Sequence, residues 1–574
     1  MEKRIHLMTP DENLIRRIQR NARCHPVTAA VLANRGVVGE AAIQEFFNPT
    51  FNSIPNGFSM TDMASAVERI TRAVSSREKI LVFGDYDVDG ITATALLNEF
   101  LTACGADVSF YIPHRMDEGY GLKTMHINQV AAKNRIDLIV TVDCGSGSAA
   151  AITEANRLGI DVIITDHHTI SDPPPPACAV VNPQRCDCTA GTDCLAGVGV
   201  AFMLLICLRK HLRDINYWAD REEPNLKALC DLVALGTIAD IVPLVNENRV
   251  LTKIGIEVIN TAPRPGLQAL IEVSGLGKNP VSAEDIAFRI APRLNAAGRM
   301  DHANLAVNLL QAEDHETARK LAECIHSLNG QRQMIENQVF NRICMHIDQK
   351  PELLSRKSMV LASDDWHEGI LGIVASRLAR MYWRPVALLS FKDGLGKGSA
   401  RSIPPIDLYQ AISECRTCLD KFGGHPMAAG LSLKSERLDE FREAFEISVS
   451  GMATPEAFEP CVHIDSPLSL DRISEQLINE LERLQPFGPQ NEEPLFCATD
   501  ITVVNARPVG QGHQRLVLKQ PAAKPHKPID GIWFNIPAEY QDVRRFSQLI
   551  FKLKWNYWNG DRRIQMIIEQ ASVD

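Results

Sequence analysis

The segment LVFGDYDVDGITATALL (81–97) limits what this chain can fold into. An apolar run ends in three acids at alternating positions, Asp85, Asp87 and Asp89, followed by Gly90 and a helical pattern. Carboxylates this close repel one another, so a chain that sets them at the end of a buried strand needs something to neutralise them. Similar runs recur. DVSFYIP (107–113), DLIVTVD (137–143) and DVIITDH (161–167) are short and β-rich, and helical stretches such as SAAAITEANRLG (148–159) separate them. Strand–helix alternation predicts a parallel sheet covered by helices. In open α/β sheets ligands bind beyond the carboxyl ends of the strands. Asp85, Asp87, Asp89, Asp143, Asp166, His167 and His168 are expected there.

A chain of 574 residues is too long for one ordinary core, which predicts two to four domains. Residues 1–45 read as a helical segment and 46–255 as the first α/β domain. A helical region at 256–345 follows, with 303–349 reading as one long helix. A second α/β domain spans 346–453 and holds the glycine-rich stretches GLGKGSARS (394–402) and KFGGHPMAAGLSL (421–433). Residues 454–574 begin with a linker that includes the connector LQPFGPQNEEPLF (484–496) and end in alternating strands that suit a small β-barrel. The fold class is α/β, two such domains joined by a long helix, with a C-terminal β-barrel. No apolar run is long enough to span a membrane, and the start MEKRIHLMTPDENLIRR lacks the apolar core of a secretory signal. The expected location is cytoplasmic. A net charge of −10 does not advertise nucleic-acid binding, yet a basic groove can sit on an acidic body.

Repelling carboxylates become ligands once divalent cations sit between them. Asp85, Asp87, Asp89, Asp143, Asp166, His167, His168 and Asp240 form an oxygen-rich set with one or two imidazoles, which suits Mn²⁺ or Mg²⁺ better than Zn²⁺ or copper. Two such ions make the usual device for phosphoryl displacement. A lone aspartate at a strand end is ordinarily a helix N-cap. Four acidic sites at the strand and helix ends of one α/β unit argue for chemistry instead.

DYDVDG, VTVDCG, TDHH and GTIADIVPL resemble the four motifs of the DHH phosphoesterase superfamily. PRLNAAGR (292–299), WHEGILGIVASRL (366–378), GKGSARS and FGGHPMAAGL extend the resemblance to its RecJ branch, over roughly residues 45–500. That branch comprises single-strand-specific 5′→3′ DNA exonucleases built as DHH, DHHA1 and OB-fold domains. The resemblance implies two Mn²⁺ or Mg²⁺ ions held by Asp87, Asp89, Asp143, His167 and Asp240. Asp143 would bridge them, Asp85 would support the first, and His168 would polarise the phosphate or donate a proton. Ser399, Arg401, Gly424 and His425 would hold the phosphate beside the cut. Arg115, Arg293, Ser376 and Arg377 would hold the 5′ end or the strand backbone. DHH pyrophosphatases carry a histidine where this chain has Phe83, which agrees with the RecJ branch. Ala400 replaces a glycine frequent in the family. The implied partners are single-stranded DNA, a single-stranded-DNA-binding protein and a RecQ-type helicase, with no membrane.

Three further readings come from the residues. Cys186, Cys188 and Cys194, even with Cys178, fit zinc spacing poorly, so a reduced loop is expected. In the barrel, Trp533, Phe534, Trp555, Tyr557 and Trp558 beside Lys552, Lys554, Arg562 and Arg563 can stack and track a single strand, while alternate positions such as Phe551 and Leu553 point inward. Two rival functions stay in view. One is a phosphodiesterase of oligoribonucleotides or cyclic dinucleotides, disfavoured by the chain's length and connector. The other is an inactive replication scaffold, disfavoured by the intact carboxylates.

Overall fold

The structure, a computed structural model, describes residues 4–277, 279–521, 527–558 and 561–573. The side chains of Tyr557 and Trp558 lie outside the described part. The chain forms two compact units. The larger comprises His6–Asn295, Ala303–Glu323 and His463–Asp574; the smaller comprises Ala296–His302, Cys324–Val462 and the first residues.

In the larger unit, five parallel strands run in the order Asp107–Tyr111, Lys79–Phe83, Leu138–Val142, Asp161–Thr165 and Ala179–Val181. The central strands are buried on both faces, which is why they read as continuous apolar runs rather than as alternating ones. Phe83 packs inside against Tyr111 and His126, with ring centroids 5.8 and 5.0 Å away. Helix Val88–Ala103 follows the first acidic turn, and helices Gly197–Asp214 and Cys230–Ala239 pack on it.

The same unit contains the barrel. Strand Phe496–Val509 pairs with both His513–Lys519 and Arg545–Trp558, which closes a sheet whose remaining members are Ile529–Trp533, Asp561–Ser572 and the short edge strand Ser466–Pro467. Its core is not its own. Ile18, Val31, Leu32, Ile43 and Phe47 from the N-terminal helices share one apolar cluster with Leu477, Leu484, Phe496 and Phe551. The barrel aromatics divide differently from the sequence expectation. Trp533 and Trp555 are 4% and 8% exposed and serve the core, as do Phe551 and Leu553, whereas Phe534 is exposed. Lys552 pairs with Glu493 and Glu569, and Lys554 with Glu284 and Glu493. Arg562 lies over the Trp555 ring at 4.5 Å. These cations are engaged largely within the molecule.

The smaller unit holds a five-stranded sheet ordered Lys421–His425, Ala428–Lys434, Leu395–Arg401, Val386–Lys392 and Met359–Ser363. The glycine-rich stretches of the second α/β domain are mostly strands of this sheet. Glycine is still required at Gly424, with φ +150°, where a Cβ would stand 2.3 Å from the Ala428 carbonyl oxygen. The single long helix expected over 303–349 is two helices, Asn304–Leu310 and His315–Gln349. The break coincides with Asp314, whose carboxylate accepts the Thr317 N–H and caps the second helix. Among the described residues no helix is long and apolar enough to cross a membrane.

One buried arginine ties the larger unit together. Arg249, 3% exposed, donates to the carbonyls of Phe46, Arg483, Leu484 and Gln485 and lies 3.7 Å over the Phe46 ring. Burial and then Arg35 depress its pKa to about 10, which leaves it charged at neutral pH. The N-terminal helices, helix Asn246–Thr261 and the connector meet at this guanidinium. Arg249→Ala strands these carbonyls, and the expected loss is about 3 kcal/mol. Arg249→Lys, which cannot reach them all at once, should recover only part. Urea unfolding measures both, and an unchanged midpoint for the alanine variant would remove the clamp.

Candidate metal centre

The acidic turn after the first strand is built by two conflicting demands. Asp87 must cap the Val88–Ala103 helix, and its Oδ1 accepts the N–H groups of Asp89 and Gly90. Asp89 must enter the interior, where its two oxygens accept the N–H groups of Gly197 and Val198 at 2.6 and 2.8 Å. Those donors open helix Gly197–Asp214, whose dipole favours an anion there. Glycine at 197 is forced, because a Cβ would sit 2.6 Å from Asp143 Oδ1. A Cβ on Gly236 would likewise meet Asp89 at 2.9 Å.

Asp143 follows its strand with φ +59°, a left-handed turn that aspartate tolerates. Asp240 caps the C-terminus of helix Cys230–Ala239. His167 Nε2 gathers the set: it lies 3.2 Å from Asp143 Oδ1, 3.6 Å from Asp240 Oδ2 and 3.7 Å from Asp89 Oδ2. Asp85, Asp87 and Asp143 form one group, and Asp89, His167 and Asp240 another, each with ligand atoms within 4.8 Å of one another. Asp85 Oδ1 and Asp143 Oδ1 are buried and accept no hydrogen bond. Burial and then mutual repulsion raise the pKa of Asp85, Asp89, Asp143 and Asp240, that of Asp89 to about 7. Oxygen donors left without protons to accept, in a repelling set, fit hard divalent cations.

Asp166 differs. Its Oδ1 accepts from the His167 and His168 N–H groups and from His168 Nδ1 at 2.7 Å, and its Oδ2 from the Ser146 N–H. Burial would raise its pKa, but the bond and charge of His168 outweigh it and pull it well below the carboxylate range. Burial works against charge on His168 too. Asp166, with Asp240 and Asp87, reverses that and lifts it to about 9. Asp166 therefore holds the His168 ring through Nδ1.

The expected DNA contacts fall in both units. Arg115 stacks 4.6 Å over the Tyr86 ring, inside the acidic turn. Arg293 lies two residues before Asn295, whose Oδ1 accepts the Val88 N–H. In the smaller unit Arg401 donates to Ser399 Oγ, and Arg377 is held by Glu336 and Asn337 over the Phe340 ring. Ser376 is on helix Leu371–Tyr382, and Gly424 and His425 are on strand Lys421–His425. The cysteines make other contacts: Cys178 Sγ donates to the Val162 carbonyl and Cys194 Sγ meets Glu247 Oε1.

Comparison with known proteins gives these positions a lineage. The model of the DHH family, N-terminal domain, matches residues 79–237, that of the DHHA1 domain 356–450, and that of the RecJ OB domain 464–570. A single-stranded-DNA-specific exonuclease RecJ of Bacillus subtilis is 34% identical over 99% of this chain and 71% of its own length. This chain belongs to the RecJ family. Two crystal structures of RecJ from Thermus thermophilus, in complex with Mn²⁺ and with Mg²⁺, match with TM-scores of 0.83 and 0.77 at 30% and 28% identity. Each match covers 100% of this chain, and 80% and 78% of the respective neighbour.

Sequence reasoning missed one residue of this RecJ-family centre. The Tyr120 hydroxyl donates to the Asp143 carbonyl oxygen at 3.2 Å and lies 3.1 Å from His168 Nδ1. Its segment, EGYG, is distant from both in sequence, so only the flanking glycines hinted at a built turn.

The repelling set also has a thermodynamic signature. Mn²⁺ binding to the folded state should raise the melting temperature, equivalent to about 2.7 kcal/mol per site at a hundredfold excess over Kd. Asp143→Ala should lose that rise while melting no lower than wild type in EDTA, since it removes a carboxylate that burial penalises. Calorimetry with and without Mn²⁺ reads both, and a full Mn²⁺ shift in Asp143→Ala would sink the shared-ligand assignment.

Proposed function

We propose that this protein is a single-strand-specific DNA exonuclease. It degrades from the 5′ end to 5′-mononucleotides with two Mn²⁺ or Mg²⁺ ions, in DNA repair and recombination. Family membership supports the reading, as do the named activity of the Bacillus subtilis relative and the Mn²⁺ and Mg²⁺ of the Thermus thermophilus structures. The observation that carries it is the pairing of two ligand groups through Asp143 and His167, 3.2 Å apart.

Asp85, Asp87 and Asp143 would hold one ion and Asp89, His167 and Asp240 the other, with Asp143 shared. The ions, when bound, polarise the phosphate and make the attacking water more acidic. His168 is oriented by Asp166 through Nδ1, which leaves Nε2 to polarise the phosphate or to give a proton to the departing 3′ oxygen. Ser399, Arg401, Gly424 and His425 would seat the phosphate beside the cut. Arg115, Arg293, Ser376 and Arg377 would hold the 5′ end or the strand, and Arg377 would do so with Glu336 already on it. Arginine suits this because it binds phosphate bidentately. We assign chemistry to residues 46–255 and strand binding chiefly to 346–453 and 454–574, with Arg115 and Arg293 adding contacts from outside those segments. A single-stranded-DNA-binding protein and a RecQ-type helicase are the proposed partners, in the cytoplasm.

Single strands labelled at either end, a duplex and a short oligoribonucleotide, each with Mn²⁺, Mg²⁺ or EDTA, test the reading. Single-stranded DNA should be degraded from the 5′ end, the duplex spared and EDTA silent. Early loss from the 3′ end would overturn the polarity, and preference for the short oligoribonucleotide would favour the diesterase rival. Tyr120→Phe should slow turnover about 10-fold, as loss of an outer contact does, with the Mn²⁺ melting shift kept. Unchanged turnover would remove Tyr120 from the positioning of His168.

A further inference from the structure

The loop between strand Asp107–Tyr111 and the helical turn Thr124–His126 reaches the metal centre at two points. Arg115 lies over the Tyr86 ring, and the Tyr120 hydroxyl meets the Asp143 carbonyl oxygen and His168 Nδ1. Tyr120 stands between Gly119 and Gly121, at φ +69° and +81°, where glycine leaves the backbone free to take other conformations. The local chain alone does not hold this ring in place.

Glu118, between Arg115 and Tyr120, turns inward, with its side chain 19% exposed. The Tyr111 hydroxyl donates to its Oε1 and Oε2 at 3.0 and 3.1 Å, and His126 Nε2 donates to its Oε2 at 3.0 Å. The Lys123 N–H donates to His126 Nδ1 at 3.0 Å, which puts the ring proton on Nε2. Burial lowers the His126 pKa against the pull of Glu118, so the ring is neutral in this tautomer. Burial and then Glu118 push the Tyr111 pKa up to about 12, so its hydroxyl keeps the proton it donates. Tyr111 and His126 both pack on Phe83, the last residue of the strand that leads into the acidic turn.

A carboxylate drawn out of water is costly unless donors meet it. Here two side chains meet it, and both belong to the wall of the sheet that carries the metal centre. The backbone is tied as well: the Glu118 and Gly119 N–H groups donate to the His114 carbonyl oxygen at 2.8 and 3.1 Å. The loop is thus pinned from beneath at one residue, with Arg115 three positions before it and Tyr120 two positions after.

We infer that Glu118 is a positioning residue: clasped by Tyr111 and His126, it fixes the loop that brings Arg115 and Tyr120 to the carboxylates and to His168. The inference rests on the proposed function and adds a residue that acts through others. Its effect passes through Tyr120 to His168 and through Arg115 to the strand.

Steady-state kinetics of the full-length protein with Mn²⁺ on a single strand test this, at a temperature well below the melting point of every variant. Glu118→Ala should lower kcat/KM about 10- to 100-fold, as loss of an outer contact of a metal centre does. Glu118→Gln should restore most of it, because the amide oxygen accepts from His126 Nε2 and the amide N–H donates to the Tyr111 oxygen. Glu118→Ala combined with Tyr120→Phe should be no slower than Glu118→Ala alone, since the first change already releases the Tyr120 hydroxyl. A double variant slowed by the product of the two single effects overturns the inference, because Glu118 would then act independently of Tyr120. Unchanged kinetics in Glu118→Ala, or a glutamine variant as slow as the alanine one, overturns it too, and in each case the proposed function stands. Wild-type protein that degrades no strand with Mn²⁺ or Mg²⁺ overturns both readings together.

Discussion

Negative charge that the protein alone cannot satisfy governs this molecule. Asp85, Asp89, Asp143 and Asp240 are buried together and repel, and their pKa values rise. The fold answers locally with what it has: two helix N–H groups on Asp89, and glycines at 197 and 236 where any side chain would intrude. Those devices position the carboxylates without neutralising them. Asp166, a few ångströms away, shows the contrast. It has four donors and a cationic partner of its own, and its pKa falls. Mutual repulsion sets the first group apart, and pairing with a histidine sets Asp166 apart.

The sheet and the acidic turn were legible because both are local. A strand's apolar run, the acids at its end and the helix after it occupy one short stretch, and strand–helix alternation then places the stretches on one edge. Phe83 was legible as a departure, and the structure gives it a core environment against Tyr111 and His126. Contacts between distant segments were not legible. Nothing near Arg249 announces carbonyls at 46 and 483–485, and nothing in EGYG announces His168. The joint core of the N-terminal helices and the barrel is invisible for the same reason, since each amphipathic face predicts a partner without naming it.

Residue type alone does not set local structure or exposure. The glycine-rich stretches of the second α/β domain are strands, because glycine permits close strand packing and cross-strand pairing there decides the outcome. Aromatics beside lysines in the barrel suggested an open platform. Alternation along a closed barrel sends Trp533 and Trp555 inward, and Glu284, Glu493 and Glu569 claim the lysines. Composition lists residue types, and the pleat decides which face each one meets.

The net charge of −10 then takes on a different meaning. A polyanionic strand gains nothing from approaching Asp85, Asp87, Asp89, Asp143 and Asp240 while they are bare. Two dications would cancel four of those five negative charges, and Arg115, stacked on Tyr86 in the same turn, would offset the fifth. The local field at the centre would thus fall toward neutral once the ions are in place, although the body of the protein stays acidic. On the proposed reading, ions at the centre would remove the repulsion that a polyanionic strand would otherwise meet there.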